Sequence, residues 1–243
     1  MSDRNLSQLD HALLELRSLV MNGEFSGGQR LSEVAVAKQL GTSRTPLRQA
    51  MDRLVAEGLL ERIETGGCRV ATFTRDDIAD AIELRGVIEG TAARMAAERG
   101  VSAELLSQAN AALEGIDRAI KASNGLNFEC YVHRNAEFHT LLAKFSGSAL
   151  VQREIERVSM LPLASPSAFL SEQAAIPDFV DSLRYAQRQH RAIVEAITNH
   201  EGARAEALVR EHARLALINL NFLTDVQPTL VNDVPGLALV AST

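Results

Sequence analysis

Apolar residues recur at helical spacing from about Leu6 to Met21, with Leu9, Leu13, Leu16 and Val20 on one side. The segment NGEFSGGQ breaks that period. Ser32 is placed to cap a short second helix, Glu33 to Leu40, with Val34, Ala37 and Leu40 as its inward face. Gly41 ends it. Ser43 or Thr42 can cap a third helix to about Glu57, whose apolar face is Leu47, Ala50, Met51, Leu54 and Val55. Pro46 falls in the first turn, where a missing N–H is harmless. After Gly58, Leu59 to Ile63 alternates as a strand. Thr65, Gly66 and Gly67 form a hairpin tip, and Cys68 to Phe73 is a second short strand. Helix, helix, turn, helix and hairpin in that order predict a winged helix-turn-helix over residues 1–73, with the hairpin as the wing.

From Thr74 the pattern turns helical almost to the end. Thr74 and Asp77 form a capping pair that opens a helix to about Glu98. Further helices are expected at about 102–122, 128–145, 149–161, 178–200 and 203–223, six in all over residues 74–224. LPLASPSAFLSEQAAIP, with three prolines, is an irregular connector. The tail, 225–243, has two prolines and no helical period, so it is expected to be extended or mobile. The fold class is therefore mostly α: a winged helix-turn-helix followed by an all-helical bundle.

Composition agrees, with 46% hydrophobic but only 4% aromatic residues among the 243, as an aliphatic helical core requires. Cys68 and Cys130 provide neither a disulfide framework nor zinc-ribbon spacing, which fits a reducing cytoplasm. The opening MSDRNLSQLDHALLELRS is charged and amphipathic, unlike a signal peptide, and no window predicts a membrane span. The net charge of -6 excludes a uniformly basic nucleic-acid binder. The charge is unevenly spread, however. Residues 1–75 hold 10 Lys and Arg against 9 Asp and Glu, a net of +1, and the remainder carries -7. Residues 38–53 concentrate Lys38, Arg44, Arg48 and Arg53 against Asp52 alone. A local basic patch of this kind can meet DNA while the acidic remainder keeps the molecule soluble.

The third helix opens with GTSRTPLRQ, two arginines where the helix dipole disfavours cations. A helix used only for packing would place acids there. A recognition helix enters the major groove by its N-terminus, where arginine forks onto guanine or phosphate and hydroxyls bond phosphate. Ser43, Arg44, Thr45 and Arg48 form one such contact set, with Arg44 and Arg48 four apart on a shared face. Arg53 lies on another face.

Of six histidines, His139, His190 and His212 each sit among apolar residues at helical spacing in the second module. Taken alone they read as separate core or surface residues. Three imidazoles and one oxygen from three helices could also close around a divalent cation. His11, His133 and His200 read as surface residues.

The run RLSEVAVAKQLGTSRTPLRQAMDRLVAEGLLER followed by TGGCRV resembles the GntR family of bacterial transcription regulators. The helical remainder is similar to the FCD ligand-binding domain of its FadR-like branch, and the six-helix count points to the VanR-like subgroup. The resemblance implies DNA contacts from Arg44, Thr45 and Arg48, with Ser43 and the wing glycines Gly66 and Gly67 beside them. Val34 stands where some members carry a further arginine, so that contact is not implied. It also implies a metal set of Asn135, His139, His190 and His212, with zinc or nickel as the cation. Asn135 is a weaker ligand than the aspartate many members have. Family effectors are mostly carboxylates, and Arg85 is the arginine that could pair with one; a structural Arg85–Glu89 pair is the equal alternative.

The function expected is a cytoplasmic homodimeric regulator, a repressor, that binds a palindromic operator in double-stranded DNA and is released by a small organic acid. A metal-dependent hydrolase is the alternative. Against it, the chain has no HExxH-like glutamate, Gly-x-Ser-x-Gly elbow or phosphate loop.

Overall fold

In the computed structural model the described residues are 7–122, 125–162, 164–166, 177–221, 236 and 239–240. They form two units, which divide at Ile78.

The first unit begins with α1 (Gln8–Met21), whose Ser7 Oγ accepts the Asp10 N–H while the Asp10 carboxylate accepts from Ser7. β1 (Arg30–Leu31), α2 (Glu33–Gln39), α3 (Arg44–Ala56), β2 (Leu60–Arg62) and β3 (Cys68–Val70) follow. The strands form an antiparallel sheet in the order β1-β3-β2, with Leu31 opposite Cys68 and Leu60 opposite Val70. Leu16, Val20, Leu47, Met51, Leu54, Leu59 and Val70 are fully buried between helices and sheet. Arg17 forks onto Glu57 at 2.8 Å and braces α1 against the end of α3. This is the winged helix-turn-helix, with one strand, β1, that is too short to show an alternation in the sequence.

The inward face of α2 differs from expectation. Val34 is 58% exposed, whereas Val36 and Ala37 are buried. Val34 and Val36 are two positions apart, about 200° around a helix, so both cannot face the core.

The tail assigned to 225–243 lies mostly outside the described residues. Its described part is docked on the first unit. Leu239 is completely buried in that core, its carbonyl accepts the Phe73 N–H at 2.8 Å, and Val240 forms a parallel bridge with Phe73. The Gly236 N–H donates to Met21 O at 2.6 Å.

α4 (Arg75–Arg99) starts in the first unit with the expected Thr74–Asp77 cap and runs on into the second. The other helices are α5 (Ala103–Ile120), α6 (Phe128–Phe145), α7 (Ala149–Ser159), α8 (Pro177–Thr198), α9 (Gly202–Ala213) and α10 (Leu215–Asn221). The last predicted helix is thus two, and the second unit has seven helices among the described residues rather than six. The helix count behind the VanR-like subgroup does not hold for them. The break at Arg214 uses tightened three-residue bonds, Arg214 N–H to Glu211 O and Leu217 N–H to Arg214 O, and needs neither Gly nor Pro. Of the proline-rich connector, residues 163 and 167–176 are outside the described set.

Alanines line the bundle core, including Ala93, Ala96, Ala97, Ala109 and Ala112, and allow close helix approach. At Gly86 and Gly90, α4 meets α9 more closely still. A Cβ on Gly86 would stand 2.8 Å from Ala213 Cβ, and one on Gly90 3.1 Å from Glu206 O. These glycines adjoin Arg85 and Glu89, so the tight approach brings both side chains toward the α9 histidine.

Candidate functional site

His139 on α6, His190 on α8 and His212 on α9 converge in the buried centre of the second unit. His190 Nε2 is 3.0 Å from His212 Nε2, which is 3.3 Å from His139 Nε2. One nitrogen from each ring lies within 4.8 Å of the others. Every Nδ1 faces an oxygen: Gln187 Oε1 at 3.1 Å from His190, Gln189 Oε1 at 3.1 Å from His212, and Glu89 Oε1 at 3.5 Å from His139. Asn135 is buried one turn before His139, and its amide donates to Pro166 O at 2.9 Å. His11, His133 and His200 are exposed, as expected.

Burial pushes the His190 and His212 imidazoles far below their usual range, helped by the neighbouring histidines, and His212 falls to about 3. Both rings are therefore neutral near pH 7. Burial alone would raise the Glu89 carboxyl, but Arg85 first and His139 next overcome it and hold it at about 2. Three imidazole nitrogens whose lone pairs can converge fit a borderline divalent cation such as zinc or nickel. Three atoms here have no hydrogen-bond partner among the described residues: Arg85 Nε, Glu89 Oε2 and His139 Nδ1.

A cavity of about 210 Å³ opens beside His139, walled by Glu89, Thr140, Lys144, Gln152, Glu156 and Ser159 among others. Arg85, expected to meet the effector, does not line it. Arg85 is buried, donates from Nη1 to Ala164 O at 2.5 Å and holds Glu89 at 3.7 Å. Glu89 is the charged group of that pair on the cavity wall. The sequence displayed it only as an i, i+4 companion of Arg85.

In the first unit Ser43 is the N-cap of α3 but makes no side-chain cap bond. Ser43, Arg44, Thr45 and Arg48 are all exposed, on the side opposite Leu47, Ala50, Met51 and Leu54. Arg48 is not free: its Nε donates to Glu33 Oε2 at 2.7 Å. The pair is exposed, so it is worth roughly 0–1 kcal/mol and phosphate can compete for the guanidinium. Gly66 and Gly67 turn the wing at φ of 91° and 88°, a region L side chains avoid. Arg30, overlooked in the sequence, donates to Gly66 O at 2.9 Å. Arg30, Arg48, Thr65 and both glycines wall one groove.

No described helix is long and apolar enough to cross a membrane. Residues 9–70 match the bacterial regulatory proteins of the gntR family, and residues 80–215, more than half of the chain, match the FCD domain. The chain is 31% identical to a probable D-xylose utilization operon transcriptional repressor of Paenarthrobacter nicotinovorans, over 79% of this chain and 80% of that one. It is 30% identical to YdhC, an uncharacterized HTH-type transcriptional regulator of Bacillus subtilis, over 60% of this chain and 64% of the relative's length. The solved structure of E. coli McbR/YncC shares the fold, with a TM-score of 0.62 at 19% identity over 88% of this chain and 97% of the other. Nothing in these relatives supports the hydrolase alternative. The chain belongs to the gntR family of bacterial regulatory proteins, and is a transcriptional regulator, not an enzyme, in which an FCD domain follows the DNA-binding module.

Proposed function

We propose that the protein is a cytoplasmic, homodimeric repressor of a palindromic operator, released by a small carboxylate that binds beside a metal-holding histidine cluster. The observation that carries this reading is the cavity whose wall includes His139, a member of the cluster, and Glu89, which faces that ring. His139, His190 and His212 would hold the cation, with Asn135 one turn from His139 as the oxygen donor. A bound divalent ion supplies a Lewis-acid point to which a carboxylate can coordinate. Lys144 is the Lys or Arg on the cavity wall among the described residues and would neutralise the incoming acid. Glu89 and Glu156 repel a second negative charge, which favours a monoanion, or an acid whose further groups are hydroxyls.

On DNA, Arg44, Thr45 and Arg48 read or grip the major groove, Ser43 bonds a phosphate, and the wing with Gly66 and Gly67 lies along the backbone. One reader covers few base pairs, so two copies related by a twofold axis would read a palindrome. α4 is the covalent link, running from its Thr74 cap to the turns that bear Arg85 and Glu89. A coupling of about 1–3 kcal/mol between effector and operator would be ordinary for such a switch.

The test uses DNA from upstream of the protein's own gene. Footprinting should show protection of two symmetric half-sites, and light scattering a dimer at micromolar concentration. Absence of protection on any such DNA, or a strict monomer that binds it with full affinity, overturns the reading.

A further inference from the structure

Gln187 and Gln189 flank the centre in the sequence QRQH, where glutamine on an amphipathic helix ordinarily looks like a solvated residue. Both are buried. Gln187 Nε2 lies 2.8 Å from Leu113 O and 3.0 Å from Asp117 Oδ1, two acceptors that only an amide N–H can satisfy. Gln189 Nε2 lies 3.3 Å from Glu211 Oε1, again an acceptor. These bonds fix the direction of both amides. Each Oε1 must then face its histidine, and an amide oxygen can only accept. So His190 Nδ1 and His212 Nδ1 must each carry the hydrogen. A neutral imidazole has one, which leaves both Nε2 atoms bare, 3.0 Å apart. Two facing lone pairs at that distance repel unless a cation lies between or beside them.

We infer that Gln187 and Gln189 are positioning residues of the metal centre, which lock His190 and His212 as Nδ1–H tautomers and aim both Nε2 lone pairs at one point. The inference rests on the reading of the histidine cluster as a metal site. It explains why amides stand here when carboxylates commonly back metal-bound histidines. A glutamate at 187 would oppose Asp117, and one at 189 would oppose Glu211. The acceptors are themselves anchored: Asp117 pairs with Arg191, and Glu211 Oε1 accepts from Tyr185 OH at 3.0 Å. The chain from bundle surface to histidine is therefore complete on both sides. The third ring differs, since His139 faces the charged Glu89 at 3.5 Å. Two ligands thus have neutral backing, and the third has an anion that also borders the cavity.

The experiment uses full-length protein labelled with ¹⁵N-histidine and stripped of metal, alongside Gln187→Met and Gln189→Met, which keep side-chain length and remove the acceptor. Two-bond ¹H–¹⁵N spectra near neutral pH report which ring nitrogen is protonated, and zinc affinity is measured by competition with a chromophoric chelator. In the unsubstituted protein His190 and His212 should both be Nδ1–H tautomers. Each variant should lose the fixed tautomer at its own histidine and bind Zn²⁺ about 10–100-fold more weakly. Nε2–H tautomers in the unsubstituted protein, or unchanged zinc affinity in both variants, overturn the proposal. If a variant fails to fold, the spectrum of the unsubstituted protein still decides. Nδ1–H tautomers in a protein that takes up no zinc would uphold the glutamine assignment and sink the metal reading, so the two failures are distinguishable.

Discussion

Glu89 Oε1 stands 3.5 Å from His139 Nδ1, while the other oxygen of the same carboxylate faces Arg85 Nε at 3.7 Å. One buried anion therefore borders the histidine cluster, the arginine of α4 and the cavity at once. Removing it should be felt in stability first. Glu89→Leu leaves a fully buried guanidinium without its counter-charge, which costs about 3–5 kcal/mol. Arg85→Leu/Glu89→Leu should recover much of that loss. Urea unfolding of the three variants checks this, and a double variant as unstable as Glu89→Leu alone would show that the pair is not coupled.

On the DNA side, Arg44→Ala and Arg48→Ala should each weaken operator binding by roughly 1–3 kcal/mol if the contact is to a base. Both side chains are exposed, so unfolding curves should not move. Glu33→Gln releases Arg48 from its ion pair and removes a negative charge beside the groove, so operator affinity should rise. Fluorescence anisotropy at two salt concentrations measures all three. Unchanged affinity in both arginine variants would remove α3 from the interface.

The docked tail predicts a stability effect far from either site in sequence. Leu239 is buried among reader residues, and Leu239→Ala should cost the first unit about 2–5 kcal/mol. Deleting residues 236–243 should do at least as much. Hydrogen exchange at the Phe73 amide, which donates to Leu239 O, gives a local readout. If its protection survives the deletion, the tail is not part of the reader core.

Gly86→Ala tests the close approach of α4 and α9. The added methyl would meet Ala213 Cβ at 2.8 Å, and such overpacking costs about 1–3 kcal/mol. Because His212 is on α9 one residue before Ala213, zinc affinity should fall together with stability. A stable variant with unchanged affinity would mean that the helices can part without disturbing the histidines.

Signals carried by single residues in local chemistry were legible in advance. Ser32 and Thr74 cap where the sequence places caps, and Gly66 and Gly67 turn the wing. The three histidines were placed by resemblance, since spacing alone could not bring α6, α8 and α9 together. What the sequence hid was tertiary. β1 has two residues and no period. Val34 and Val36 look alike until packing chooses one. The break at Arg214 is a change of hydrogen bonding without a breaker residue. Gln187 and Gln189 read as ordinary polar positions until the helices that enclose them are assembled, and Glu89 shows in the sequence only as a companion of Arg85, without its place beside His139. For Arg85 the sequence leaves an effector contact and a pair with Glu89 equally open, and burial of both side chains shows the pair.

A carboxylate that acts on the operator complex through the histidine centre must lose its effect when that centre is emptied or broken. The direct measurement is anisotropy of a labelled operator complex titrated with a panel of small carboxylates, on zinc-loaded protein, on metal-stripped protein and on His190→Ala. An acid that dissociates the DNA from the zinc-loaded protein should do so at least tenfold less effectively with the other two. Equal release from all three would contradict it and leave the histidines with a structural role alone.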